Sequence, residues 1–354
     1  MINHLELKHF RCFANERLSD CRRINIVVGE NGSGKTALLE GIFLASCSMP
    51  DASLRLRQWR GYEGGTMQGS AQHIQDTIWR DFFHNFDVTR PVYAGIGDGK
   101  KITQSLTISH HTAGVAIPLS NKPQQNNRSI IGAESSFSFK WKFPKGVSYT
   151  LTPTIADGAI KFPPMPSPEF ETFFFAANHT YSAFETANRF SVISRRFGKE
   201  EVIDQFNAQF PMVTDLSVEL MTGLAMVYAT SKSFSEMVPI NLVSSGMSKL
   251  ASIVFAIASQ PHGVVIIDEL ESGFYYKKLP GIWKMLHAFC EKYDTQIFAS
   301  THSDECLRAA ATVAEGYEED FSLIRAVSGT KGALLREFSG KQFVQSVSDA
   351  VEVR

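Results

Sequence analysis

The chain has 354 residues, 44% apolar and 20% charged, the balance of an ordinary globular protein with enough apolar material for a real core. Lys plus Arg number 35 and Asp plus Glu 36, a formal net charge of -1, so no global basic field draws the chain toward nucleic acid. Cys12, Cys21, Cys47, Cys290 and Cys306 lack CxxC spacing and predict reduced thiols, not a zinc site or disulfide framework. With no leader pattern and no apolar run of spanning length, the expected compartment is the cytoplasm, with no membrane partner.

In chain order, Ile2, His4-Leu5, Leu7 and Phe10 alternate as a strand, and Ile24-Asn25-Ile26-Val27-Val28 predicts a buried strand. A glycine-rich loop follows, and then Leu38, Ile42 and Ala45, widened by Leu39 and Phe43, recur at helical spacing. Gly61–Ser70 reads as a loop, and Thr77–Phe86, with Ile78, Trp79, Phe82 and Phe83, as a helix. Between 91 and 175, short runs at Pro91–Ile96, Lys101–Ser109, Phe137–Phe143, Ser148–Ile155 and Ala159–Phe162 alternate with turn residues, predicting antiparallel hairpins. Phe162–Pro168 is a proline-rich connection, and helical patterns return from about 181 to 233.

The last third alternates apolar strands with amphipathic helices. Val264–Ile267 ends in Asp268-Glu269, and Pro280 suits the first turn of a helix striped by Ile282, Trp283, Leu286, Phe289, Cys290 and Tyr293. A second buried strand, Gln296–Ser300, ends in Thr301-His302. The fold class expected is α/β: a P-loop NTPase with a mostly parallel sheet, plus an antiparallel β lobe and a helical insertion. Residues 60–235 are read as inserted between the two halves of one nucleotide-binding domain, 1–59 and 236–354.

The chemistry concentrates in four places. Gly29-Glu30-Asn31-Gly32-Ser33-Gly34-Lys35-Thr36 satisfies G-x-x-x-x-G-K-[ST], in which glycines let backbone N–H groups turn toward phosphate oxygens. Lys35 supplies charge to the β- and γ-phosphates of ATP, Thr36 a hydroxyl to Mg²⁺, and the following helix its positive end. Asp268 closes an apolar strand where it can hold Mg²⁺, and Glu269 can polarise the attacking water as general base. His302 ends the neighbouring strand, suited to a hydrogen bond to the γ-phosphate or that water. Ser244-Ser245-Gly246-Met247-Ser248-Lys249 opens a helix; Ser245 or Ser248 can be its N-cap, and the same terminus can bind phosphate.

These motifs, in this order, resemble the ABC-type ATPases of the RecF, SMC and OLD kind. The start Leu5–Phe13 looks like that family's first strand and turn, and Ser245-Gly246-Met247, Ile267-Asp268-Glu269 and Thr301-His302-Ser303 are similar to the "SGM", "IDE" and "THS" of compact AAA-family members. The ending Ala350–Arg354 also looks like theirs. The resemblance implies one ABC-type domain over 1–354 and a homodimer or higher homo-oligomer that sandwiches ATP. Ser245 and Gly246 of one copy would reach the γ-phosphate held by the other, and Arg11 would lie near the nucleotide. Met247 departs from the family's second signature glycine, and Glu271-Ser272-Gly273-Phe274-Tyr275 replaces "ENGLH"; Gln58, and less so Gln68, stand where a Q-loop glutamine is sought.

Neither an SMC-type coiled coil nor an OLD-type nuclease is expected, so the reading is an ATP-hydrolysing switch that controls a separate effector, a nuclease or toxin, as in anti-phage defence. The alternatives are a RecF-like repair ATPase that binds DNA directly, which the charge balance does not favour, and a non-hydrolysing ATP-dependent scaffold.

Overall fold

The structure is a computed structural model that describes residues 1–47, 51–61, 70–99, 101–112, 135–156, 159–162, 171–177, 182–196 and 198–349. The chain opens with a hairpin, β1 (His4–Phe10) and β2 (Phe13–Leu18), followed by the apolar strand β3 (Ile24–Val28) and helix α1 (Lys35–Ser46). Two short helices come next, α2 (Ala52–Trp59) and α3 (Ala71–Trp79), then strands β4 (Val92–Asp98), β5 (Lys101–Thr112), β6 (Ser135–Lys142) and β7 (Ser148–Leu151). A small hairpin, β8 (Thr154–Ala156) and β9 (Ala159–Lys161), precedes β10 (Thr172–Phe175) and helices α4 (Ala183–Arg195) and α5 (Lys199–Gln209). Strands β11 (Val213–Met221), β12 (Leu224–Ser231) and β13 (Val238–Pro239) lead into α6 (Ile240–Val243) and α7 (Ser245–Ser259). The chain continues through β14 (Val264–Ile267), α8 (Leu279–Tyr293), β15 (Gln296–Ser300), α9 (Asp304–Ala314), β16 (Phe321–Val327), β17 (Leu334–Ser339) and α10 (Gly340–Ser348).

Two six-stranded sheets form the body, beside a three-stranded sheet β11-β12-β13 and the two-stranded pair β8-β9. The first runs β2-β1-β4-β5-β6-β7 and is antiparallel throughout. The second runs β10-β14-β15-β3-β16-β17, parallel except for the antiparallel edge pair β16–β17. Strands β4 to β7 pair onto the amino-terminal hairpin, and β10 is an edge strand of the parallel sheet.

Each parallel strand alternates between two cores. Ile24, Ile26, Val28, Val265, Ile267 and Ile297 pack with α4, α7, α8 and α9 on one face. Val27, Val264, Ile266 and Phe298 meet α1 and the antiparallel sheet on the other. Helix α1 therefore lies between two sheets, and 11 of its 12 residues are buried. The apolar stripe read from its sequence widens to nearly the whole circumference. Gly41 on α1 allows close approach to β1: a Cβ there would lie 2.8 Å from Leu7.

Three expected elements differ. The helix placed at Thr77–Phe86 runs instead from Ala71 to Trp79, capped by Ser70 and followed by two 3-10 turns. The helical reading to 233 stops at α5; Thr222 and Gly223, at φ 50° and 86°, close the β11–β12 hairpin. Ser148–Ile155 is two strands, broken before Thr154. Pro280 does enter α8 in its first turn. Pro163–Pro168, Gln68 and Ala350–Arg354 lie outside the described residues. No described helix is long and apolar enough to cross a membrane.

Register in the parallel sheet is pinned by a buried polar residue. Asn25 in β3 accepts from the Arg22 amide (2.7 Å) and the Ser322 hydroxyl (2.7 Å), and donates to the carbonyls of Arg22 (2.7 Å) and Ile297 (3.0 Å). It joins β3 to both neighbours. Asn25→Leu leaves those partners buried and unsatisfied, so it should lower unfolding free energy by about 3 kcal/mol, read from denaturant titration at unchanged slope.

Candidate active site

The loop from Gly29 to Thr36 joins β3 to α1 at the carboxyl edge of the parallel sheet. Gly29 has φ 143°, and a Cβ there would lie 2.2 Å from the Ala326 carbonyl oxygen, so no side chain fits. Glu30, Asn31 and Gly32 are exposed, whereas Ser33 is buried with its hydroxyl unpartnered. Gly34 opens α1 with no side-chain cap, which leaves the first-turn amides directed at the loop. Lys35 is buried, and its ammonium donates to the carbonyls of Gly29 (2.6 Å) and Glu30 (2.8 Å). Burial lowers its pKa, opposed by the charges of Asp268, Glu269 and Glu271. An orphaned hydroxyl, a buried ammonium and free helix amides fit a bound phosphate chain.

Asp268 stands at the end of β14 and is 7% exposed. One carboxylate oxygen accepts from Thr36 Oγ1 at 3.0 Å and the other from Ser300 Oγ at 2.5 Å. Thr36 and Asp268 thus present adjacent hard oxygens beside the phosphate loop, the donor chemistry that Mg²⁺ takes. Glu269 follows with φ 51°, a left-handed backbone. Its amide donates to Ser300 Oγ (2.8 Å), and its carbonyl accepts from Lys249 Nζ (2.7 Å). The Glu269 carboxylate stays partly exposed, 3.9 Å from His302 Nε2. The His302 amide donates to Glu271 (2.7 Å), which fixes the turn after β15.

The helix α7 is capped by Ser244, whose hydroxyl accepts from the Met247 amide, rather than by Ser245 or Ser248. Ser245 is exposed on the first turn and Gly246 is buried against the turn after β14. A Cβ on Gly246 would lie 2.4 Å from the Gly273 carbonyl oxygen. Lys249, one turn on, reaches the Glu269 and Ser272 carbonyls (2.7 and 3.1 Å), and burial lowers its pKa to about 8. Arg11 lies beside α1 but is committed to Glu40 (2.7 Å) and Asp81 (3.1 Å), with burial lowering its pKa. Gln58 is exposed near the end of α2.

Sequence reading missed Lys249 and Ser300. Lys249 had a signal: it is a lone cation amid the apolar residues of α7. Ser300 had only its place as the last residue of an apolar strand.

The fold and loop define an α/β P-loop nucleotide hydrolase. Residues 24–308 match the family described as "AAA domain, putative AbiEii toxin, Type IV TA system", and the chain belongs to that family. It is similar to a Helicobacter pylori protein named ATP/GTP phosphatase, 22% identical over 349 residues, covering 91% of this chain and 90% of that one. Local likeness reaches the DNA replication and repair protein RecF of Idiomarina loihiensis, 56% identical over 43 residues, 12% of each chain. It also reaches the Rad50 ATPase of Methanopyrus kandleri, 30% identical over 98 residues, 27% of this chain and 10% of that one. A solved SMC head, bound to the C-winged helix domain of ScpA, shares the fold at TM-score 0.50 and 14% identity, covering 96% of this chain and 98% of that one. The chain is an ATPase of this ABC/SMC-like class.

The closeness of Gly246 to Gly273 sets a stability test. Gly246→Ala forces α7 and the turn apart and should cost about 1–3 kcal/mol, seen as a lowered thermal midpoint, with ATPase activity falling in step.

Proposed function

We propose that this ATPase is a nucleotide-gated switch that closes as a homodimer around ATP and controls a separate effector protein, a nuclease or toxin. The observation that carries the hydrolytic half of this reading is the 3.0 Å hydrogen bond between Thr36 and Asp268, because it ties the strand end that bears Glu269 to the phosphate loop. The 3.9 Å gap from Glu269 to His302 is too long for a direct bond and suits two groups that share one water. In this reading Glu269 accepts the proton of that water, and His302 orients it or holds the γ-phosphate. Lys35 and the amides of Gly32–Thr36 hold the phosphates. Thr36 and Asp268 would hold Mg²⁺, which when bound neutralises phosphate charge.

The dimer half rests on Ser245. Its side chain is exposed at the start of a capped helix whose next residue is packed away, so it faces outward for a second copy. The local likeness to Rad50 and the shared SMC-head fold support the same arrangement. The family's description names a toxin and a type IV toxin–antitoxin system, a setting in which one protein's activity is held in check by another. In this reading the whole of 1–354 is one ATPase domain, with 60–235 the variable part between its two halves.

Glu269→Gln should lower ATP turnover by about two orders of magnitude or more while ATP binding persists. Phosphate release alongside equilibrium nucleotide binding checks this; normal turnover would remove Glu269 from the role of base. The same variant should accumulate as dimer in ATP and return to monomer in ADP, measured by light scattering.

A further inference from the structure

A cavity of about 190 Å³ opens at the amino edge of the parallel sheet, the edge away from the phosphate loop. Strands β14 and β15 begin beside it at Val264 and Gln296, and the β4–β5 hairpin lines it through Asp98 and Gln104. Its walls are apolar at Ile96, Pro144 and Val264.

The polar groups here are chiefly acceptors. Gln104 is 4% exposed, and its amide nitrogen donates to the carbonyls of Ala45 and Ser46 (2.9 and 3.1 Å). Both N–H groups of that amide are thereby used, while its oxygen has no hydrogen-bond partner among the described residues. An acceptor on so buried a side chain calls for a donor from the cavity. Asp98 stands exposed at the mouth, without an ion-pair partner among the described residues. Asp294 stands across from it, half exposed, accepting from His262 Nδ1 at 2.9 Å and 3.4 Å from Arg23. The His262 hydrogen bond holds the Asp294 carboxyl below its usual pKa, so the group stays ionised.

Two helices also turn their carboxyl ends toward this place. α1 ends at the carbonyls that Gln104 grips, and its last turn carries no basic residue. α8 ends at Asp294. Each such end adds partial negative charge. The nearest guanidinium, that of Arg23, is divided among the Cys290 carbonyl, Asp294 and Asp320.

We infer that this cavity is a binding site for a small organic cation, an ammonium or guanidinium on a short apolar body, held by the Asp98 and Asp294 carboxylates and the Gln104 amide oxygen. The apolar walls take the carbon body, and the volume exceeds the roughly 150 Å³ in which an engineered apolar cavity holds benzene. Gln104 sets the occupant at one end of α1, whose other end carries Lys35 about 18 Å away.

The probes are agmatine, which joins a guanidinium and an ammonium through a four-carbon body, and butylamine, each titrated calorimetrically into the nucleotide-free full chain. Agmatine should bind with a Kd of about 1 mM or tighter, and 1-butanol, with the same carbon body and no charge, should not bind. Asp98→Asn should weaken agmatine binding about fivefold at an unchanged thermal midpoint, as loss of one exposed charge partner does. Absence of binding by both amines at about 10 mM would overturn the inference, and so would equal binding of 1-butanol. Agmatine binding within twofold of wild type in Asp98→Asn would place the cation elsewhere on the surface and overturn it too. Should that variant fail to fold, the comparison of charged and neutral probes on the wild-type chain decides.

Discussion

Asp268 holds three elements at one point. It ends β14, receives a hydrogen bond from Thr36 at the start of α1, and receives another from Ser300 at the end of β15. Ser300 also receives the amide of Glu269, so the residue that fixes Asp268 also fixes the left-handed turn after it. The phosphate loop, the carboxylate proposed to hold Mg²⁺ and the proposed base are therefore positioned together. A buried carboxylate with both oxygens hydrogen-bonded is a rigid reference, because rotating it would orphan a hydroxyl in a site nearly closed to water. The functional groups on this edge are set by strand ends, and the strand ends by the register that Asn25 and the apolar ladders impose.

Helix α7 attaches to the same turn from the opposite side. Gly246 lies against Gly273, and Lys249 binds the carbonyls of Glu269 and Ser272. The departure of Met247 from a second signature glycine is accounted for here. Met247 is fully buried in the core beneath α7, and the close approach that demands a glycine falls on Gly246 alone. The helix that presents Ser245 outward and the turn that presents Glu269 inward thus share one ammonium, so displacement of one is felt by the other.

What could be read from the sequence was what local chemistry dictates. The phosphate loop, β3, β14 and β15 each announce themselves through glycine spacing or unbroken apolar runs, and the strand-end positions of Asp268, Glu269 and His302 follow. The hairpin from Val213 to Ser231 was hidden because its alternation is shallow: several residues of β11 and β12 are only half-buried, and the two-residue turn is Thr222-Gly223 rather than a stronger Asn-Gly signal. The start of α3 was hidden because Ala71–Asp76 is largely polar and exposed, so the helix is marked by the Ser70 cap more than by periodicity. Pairing across 70 residues, as between Arg11 and Asp81, has no local trace at all. The family resemblance implied that Arg11 lies near the nucleotide, and only the fold shows which carboxylates claim it.

The burial of α1 on both sides changes what the antiparallel sheet can do. An ordinary P-loop helix has one face toward its sheet and another toward solvent or a second helix. Here the second face meets β1, with Gly41 against Leu7, and the polar residue Glu40 on that helix is gripped by arginines from the β1–β2 turn and from the end of α2. Close packing leaves α1 little room to shift without moving those partners. A shift of the loop at Lys35 and Thr36 is thereby coupled along α1 to Glu40, and through Arg11 to Asp81.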